Sequence, residues 1–255
     1  MNMGIIAASR LRASAFSPFI IEVDTSKAGS ASDAFEFTGA VGDYDVIAKQ
    51  NGTQVATFND LSNQETITLP SSGIYVLEVK SKEVNGFNRI QFNNGGDKLK
   101  ITDIKQWGDV VWSSFSESFF GCSNMLTTAT DIPNLSNVTN MSNMFRNTSS
   151  ANPDTINWDV SSVTNMSLMF YFAPSANPDT SNWDVSNVTN MGNMFENSNL
   201  SVENLTACYE NWSQLSLQQN VEFGAGAIKY NASGQSGRNI LVNTYNWSIT
   251  DGGQV

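Results

Sequence analysis

The feature that most limits what this chain can fold into is a repeat in its second half. Leu135-Ser136-Asn137-Val138-Thr139-Asn140-Met141-Ser142-Asn143-Met144-Phe145 recurs as Val160 to Phe170 and as Val185 to Phe195, so Met141, Met166 and Met191 stand 25 residues apart. The linkers repeat as well: Ala151-Asn152-Pro153-Asp154-Thr155 matches Ala176-Asn177-Pro178-Asp179-Thr180, and each leads into Asn-Trp-Asp. A degenerate earlier copy runs from Trp112 to Phe119, with Phe115 and Phe119 spaced like Met141 and Phe145. Self-similarity at a fixed period of this size signals stacked units. Met166, Met169 and Phe170 sit at i, i+3 and i+4, one face of a short helical turn. Thr164 or Asn165 can cap that turn through a side-chain oxygen. Trp158, Val160 and Val163 belong to an extended segment, and Asn-Pro and Asn-Trp-Asp mark the bends. No copy can bury Trp, Val, Met and Phe alone, so the copies are expected to stack into a solenoid with a shared core. The methionines then read as adaptable core filler, ahead of a metal-binding cluster.

The first half follows a different period. From Pro18 to Lys105 apolar and polar residues alternate between turn signals, which predicts short strands over Phe19–Val23, Phe35–Phe37, Tyr44–Lys49, Gln54–Phe58, Thr66–Leu69, Ile74–Val79, Arg89–Phe92 and Leu99–Ile101. Asn51-Gly52 between the third and fourth is a strong hairpin signal. Regular spacing of this kind implies an antiparallel β-sandwich.

Charge separates the halves. Met1 to Lys105 carries ten Lys/Arg and twelve Asp/Glu, whereas Gln106 to Ile228 carries eleven acidic residues and Arg146 alone as a base, a net of −10. That step places a domain boundary near Trp107. The net charge of −11 argues against a nucleic-acid footprint. With no histidine, Ser-His-Asp and Cys-His catalysis and His-ligated metals are excluded. Two cysteines, Cys122 and Cys208, cannot build a disulfide framework and read as buried thiols, with a disulfide as the lesser alternative. No run approaches the roughly 18 apolar residues of a membrane span. Ile5-Ile6-Ala7-Ala8, interrupted by Arg10 and Arg12, is too short for a signal-peptide core of about 7–15 residues. Asn93-Asn94-Gly95-Gly96-Asp97 lacks the context of a phosphate loop and reads as a turn. The sequons at Asn137, Asn165 and Asn187 arise from the repeat and read as structural.

The units Trp158 to Phe170 and Trp183 to Phe195, and more loosely Leu135 to Phe145, resemble the repeats of BspA-like leucine-rich-repeat surface proteins, whose hallmark is Trp-Asp-Val-Ser-Asn-Val-Thr-Asn-Met…Met-Phe. Where that family often has Phe-Asn between repeats, this chain has Ala151-Asn152 and Ala176-Asn177. The resemblance covers roughly Gly108 to Gly253. Leu200 to Trp212 resembles the family's closing helix, with Leu205, Cys208, Tyr209, Trp212 and Leu215 on one apolar stripe, and Gly226–Tyr230 and Tyr245–Gly253 resemble its terminal cap. Leu69 to Val79 resembles the late strand pair of PKD-type immunoglobulin-like domains. Of the Trp-Gly-Asp-Gly-Thr turn those domains carry, Ala48 to Thr53 keeps only Gly52-Thr53.

The expected fold is therefore mainly β with short helices. Its parts are an arm over 1–16, an Ig-like β-sandwich over 17–106, a repeat solenoid over 107–199, and a capping helix and strands over 200–255. The carboxylates repeated at fixed spacing are Asp154, Asp159, Asp179 and Asp184. A general acid/base pair needs two dissimilar environments, and repetition gives each copy the same one. Turn and capping roles are the first reading and a calcium ladder between coils the second. No catalytic residue, cofactor or definite metal ligand is expected, and a glycan hydrolase using the Asp pairs is the least favoured class. The BspA-like resemblance implies extracellular recognition or adhesion, whereas no export signal is read at the N-terminus. A virion surface protein, as head decoration or tail-fibre component, reconciles the two, because it assembles in the host cytoplasm and is freed by lysis. Its partners would be other virion proteins, reached through the arm and the sandwich, and a host-surface glycan or protein. It would be a homo-oligomer or part of a larger assembly, with no nucleic acid and no membrane insertion. The alternative is a bacterial cell-surface adhesin.

Overall fold

The structure, a computed structural model, describes residues 16–83 and 86–255; the arm expected over 1–16 lies outside them apart from its last residue. Six strands make the main sheet: β1 (Phe19–Asp24), β3 (Asp43–Gln50), β4 (Thr53–Ser62), β6 (Ile74–Ser81), β7 (Ile101–Gln106) and β8 (Leu126–Thr127), in the order β4-β3-β6-β1-β7-β8. All neighbours are antiparallel except β7 and β8. β2 (Ala34–Glu36) and β5 (Thr66–Thr68) form a separate antiparallel pair. The alternation read from the sequence is real: Phe19, Ile21 and Val23 of β1, and Tyr75, Leu77 and Val79 of β6, are buried while their neighbours are not. Asn51 and Gly52 both take positive φ, 51° and 77°, as the two-residue hairpin requires.

Two of the eight expected strands differ. Arg89–Phe92 forms a single bridge, Arg89 to Val41, and Leu99 and Lys100 lie in a turn that precedes β7. At the first place Ile90 and Phe92 are still buried, but the backbone bonds to loops, Gln91 N–H to the Thr38 carbonyl and Phe92 N–H to that of Ser118, while Leu99 at the second is only half-buried. The result is one large sheet and one two-stranded ribbon rather than two sheets of similar size.

Beyond Trp107 the copies lie one upon the next. Met141 N–H donates to the Asn165 carbonyl, Met166 N–H to that of Asn190, and Phe145 and Phe170 N–H to those of Met169 and Met194. Parallel bridges join Asn140 to Asn165 and Asn165 to Asn190. The series continues through β9 (Asn190–Met191) into β10 (Glu222–Gly224) and β11 (Ser248–Thr250), which pair in parallel. Every repeat methionine and Val138, Val163 and Val188 are fully buried. Phe119, Phe145, Phe170 and Phe195 stack face to face at 5.8, 5.5 and 5.7 Å.

Helix α1 (Val202–Trp212) is capped by Ser201, whose hydroxyl accepts from Asn204 N–H, and buries Leu205, Cys208, Tyr209 and Trp212. Helix α2 (Gln235–Tyr245) packs on it across Gly237, where a Cβ would lie 2.1 Å from the Tyr209 carbonyl oxygen. The compositional step at Trp107 is not a gap in packing. Trp107 touches Phe19 of β1 on one side and Phe115, Phe119 and Trp158 on the other, so a single apolar core runs the length of the described chain.

Candidate interaction surface on the repeat

Each copy turns by the same device. The side-chain oxygen of Asn140, Asn165 and Asn190 accepts from the backbone N–H two residues on, at 2.9, 3.0 and 2.9 Å. Met169 N–H then reaches the Met166 carbonyl, closing a four-residue reverse turn; Leu168 at φ 58° makes it a turn rather than the helical turn expected from the i, i+3, i+4 spacing. Asparagine therefore caps the turn. The threonine alternative is used between copies instead, with Thr164 Oγ1 donating to the Thr139 carbonyl and Thr189 Oγ1 to that of Thr164.

The four repeated carboxylates behave alike. Asp154, Asp159, Asp179 and Asp184 each accept from the N–H two residues later, at 3.4, 3.1, 3.0 and 3.0 Å. The Ser161 hydroxyl and N–H hold Asp159 below its ordinary pKa. The geometry does not gather these four into one site; among the described residues no group of three or more acidic or cysteine side chains could hold a metal ion. Cys122 and Cys208 are free and buried. Burial pushes the Cys208 thiol up to about 12, against the Thr180 hydroxyl at 3.1 Å, and raises that of Cys122 well above its usual value. Both are therefore protonated and shielded, unsuited to nucleophilic chemistry.

One part of the surface breaks the pattern of small polar side chains. Stacking puts Phe120, Arg146, Tyr171 and Glu196 in a column, through Gly121 N–H to the Arg146 carbonyl, Asn147 N–H to that of Tyr171, and Phe172 N–H to that of Glu196. The Arg146 guanidinium lies over the Phe120 ring at 4.8 Å and the Tyr171 ring at 5.2 Å. Its Nη1 donates to Asn143 Oδ1 at 3.1 Å, while its Nε is buried without a hydrogen-bond partner among the described residues. Tyr171 meets Phe172 edge to face at 4.7 Å, and Phe172 is 48% exposed. An arginine held between aromatic rings beside an exposed phenylalanine is the composition of an interaction hot spot. The sequence reading singled out Arg146 as the lone base of its region but not this patch. The available signal was the departure of one copy, Tyr171-Phe172, from the Arg146-Asn147 and Glu196-Asn197 of its neighbours.

Two other polar groupings are structural. Lys100, fully buried, donates to the carbonyls of Ser30, Ala31 and Ala34 and lies 3.6 Å from Asp97, which accepts from Ser30 and Glu36 N–H. Asp251 accepts from Tyr209 Oη at 2.6 Å and Arg238 Nε at 2.7 Å, fastening the C-terminus to α1.

The stacked copies with their buried Trp, Met and Phe define a repeat protein. Residues 91–233, more than half the chain, match the family described as Mycoplasma protein of unknown function, DUF285, and the chain belongs to that family. The match is consistent with a BspA-like repeat. No curated protein and no solved structure matches the chain.

Proposed function

We propose that this chain is a non-enzymatic surface-recognition protein. In this reading residues 107–199 form a short solenoid, closed by the C-terminal helices and strands and carried on an immunoglobulin-like N-terminal unit. The observation that carries it is the patch of half-buried Phe120, Arg146 and Tyr171 beside the exposed Phe172, on a repeat rich in Asn, Ser and Thr. Shielded thiols and aspartates engaged in their own turns favour binding over chemistry. A bacterial cell surface is the setting favoured by the family match. A virion surface, as head decoration or tail-associated protein, is the second setting.

Fluorescently labelled protein added to bacterial and animal cells tests recognition. Labelling is expected, and Arg146→Ser with Tyr171→Ser should abolish it while leaving the fold intact by circular dichroism. Absence of labelling on every cell type, or labelling indifferent to the double variant, would overturn the reading. Immunogold on producing cells and on particles from their lysates separates the two settings.

A further inference from the structure

Two columns of the stack take left-handed backbone in every copy. One is Glu117, Asn143, Leu168 and Asn193, with φ of 59°, 57°, 58° and 52°; the other is Gly121, Asn147, Phe172 and Asn197, with φ of 81°, 56°, 53° and 58°. Glycine and asparagine are the residues that occupy this region at least cost, and for a bulky side chain it is a conformational outlier. The copy containing Met166 to Phe170 alone places apolar residues at both positions, Leu168 and Phe172. Phe172 gains little core burial in exchange, because about half of it faces solvent. Strain of this kind persists where something other than stability retains it.

Accepting the recognition reading above, we propose that Phe172, with Leu168, Tyr171 and Arg146, is the anchor for a protein partner that presents an apolar recess rimmed by basic side chains. Three observations choose that partner. The patch stands in a region of net charge −10, with Glu196 next in its own column, so a basic rim is attracted. A second copy, itself at −11, is repelled. The Tyr171 and Phe172 rings are inclined by 63°, and the Arg146 guanidinium is flanked by Phe120 and Tyr171. Together they form a knob rather than the flat platform on which a sugar ring stacks.

Phe172→Asn, which restores the residue of the neighbouring copies, tests both halves. It is expected to raise the melting temperature by about 2–4 °C through relief of strain; an unchanged or lower value overturns the strain argument. A displayed random-peptide library panned on the full chain should enrich Lys/Arg around aromatic or aliphatic residues. The selected peptides should bind Phe172→Asn about thirtyfold more weakly, the scale of one hot-spot side chain. Enrichment without basic residues, or equal binding to the variant, overturns the partner assignment. So does a glycan array that labels the native chain and not the variant. Cell labelling that survives Phe172→Asn overturns this anchor while leaving surface recognition standing. Peptide binding lost in Phe172→Asn without any cell labelling sustains the anchor and removes the cell-surface reading.

Discussion

The N-terminal sheet and the repeat solve the same problem, fixing register between neighbouring segments, by opposite means. In the sheet, register follows apolar alternation and is marked by individual charged pairs: Lys49 with Glu78 across β3 and β6, and Lys105 with Glu22 across β7 and β1. In the repeat, among the described residues, no ion pair occurs between 107 and 228, and like stacks on like: Phe on Phe, Trp158 on Trp183, Asn140 on Asn165 on Asn190. Such copies are nearly interchangeable, so the stack itself cannot say where it begins. The ends say it. Asp131 accepts from Trp107 and Gly108 N–H, Asp103 accepts from Thr128, and at the far end Asp251 joins Tyr209 to Arg238.

The sharpest way to break the comparison is Met166→Asp. Met166 is fully buried between two copies, and a carboxylate there has no counter-charge. A loss of more than about 4 kcal/mol is expected, read as a collapse of the thermal transition. Because one core spans the chain, the N-terminal sheet should melt with the repeat. A second, unshifted transition would show that the halves fold separately.

The corresponding lesion in the sheet is Lys100→Met. It leaves the Asp97 carboxylate buried without its cation and removes the donor to three carbonyls. Breaking a buried pair costs about 3–5 kcal/mol, and chemical denaturation should show a shift of that order. A variant as stable as the native chain would mean that the amide and hydroxyl donors around Asp97 suffice.

A finer test lies inside the repeat. Trp183 Nε1 donates to the Thr155 carbonyl at 2.9 Å and Trp212 Nε1 to that of Thr180 at 3.1 Å, but the indole of Trp158 has no partner among the described residues. Its counterpart, Thr130, belongs to the irregular segment before Pro133 and borders a cavity of about 20 Å³ with Asp131, Asp154 and Trp158. Trp183→Phe should therefore lose about 1–2 kcal/mol more than Trp158→Phe, the penalty of a stranded carbonyl. Equal losses would show that a water in the cavity already serves Trp158.

What could be read in advance follows from how local its cause is. The period of 25, the helix stripe ending at Trp212 and the alternation of β1, β3 and β6 are written in consecutive residues. The misread strand at Arg89–Phe92 shows the limit: alternation reports burial, and both a strand and a loop threaded against the core can deliver it. The burial of Lys100 has no local signal, because its carbonyl partners lie more than sixty residues away. The Arg146 patch was hidden for another reason. Its signal lay only in the comparison of copies, where Phe172 replaces the Gly or Asn of its neighbours at a left-handed position.

The smallest effects concern the aspartates, where the halves behave alike. Asp24 in the sheet and Asp159 in the repeat are both held below their ordinary value of 3.8 by a serine two residues on. A lowered folded pKa means that the unfolded chain binds protons first as the solution is acidified. Their contribution is therefore complete above that ordinary value and disappears as pH falls through the folded one. The melting temperature should accordingly stay level from neutral pH down to about pH 5 on account of these groups and begin to decline below about pH 4. Removal of divalent cations should do nothing in the level range, since Asp154, Asp159, Asp179 and Asp184 already spend an oxygen each on their own turns. If a chelator at neutral pH lowered the melting temperature by many degrees, and calcium restored it, these carboxylates would have to join across copies. The repeat would then be held by charge after all, as the sheet is.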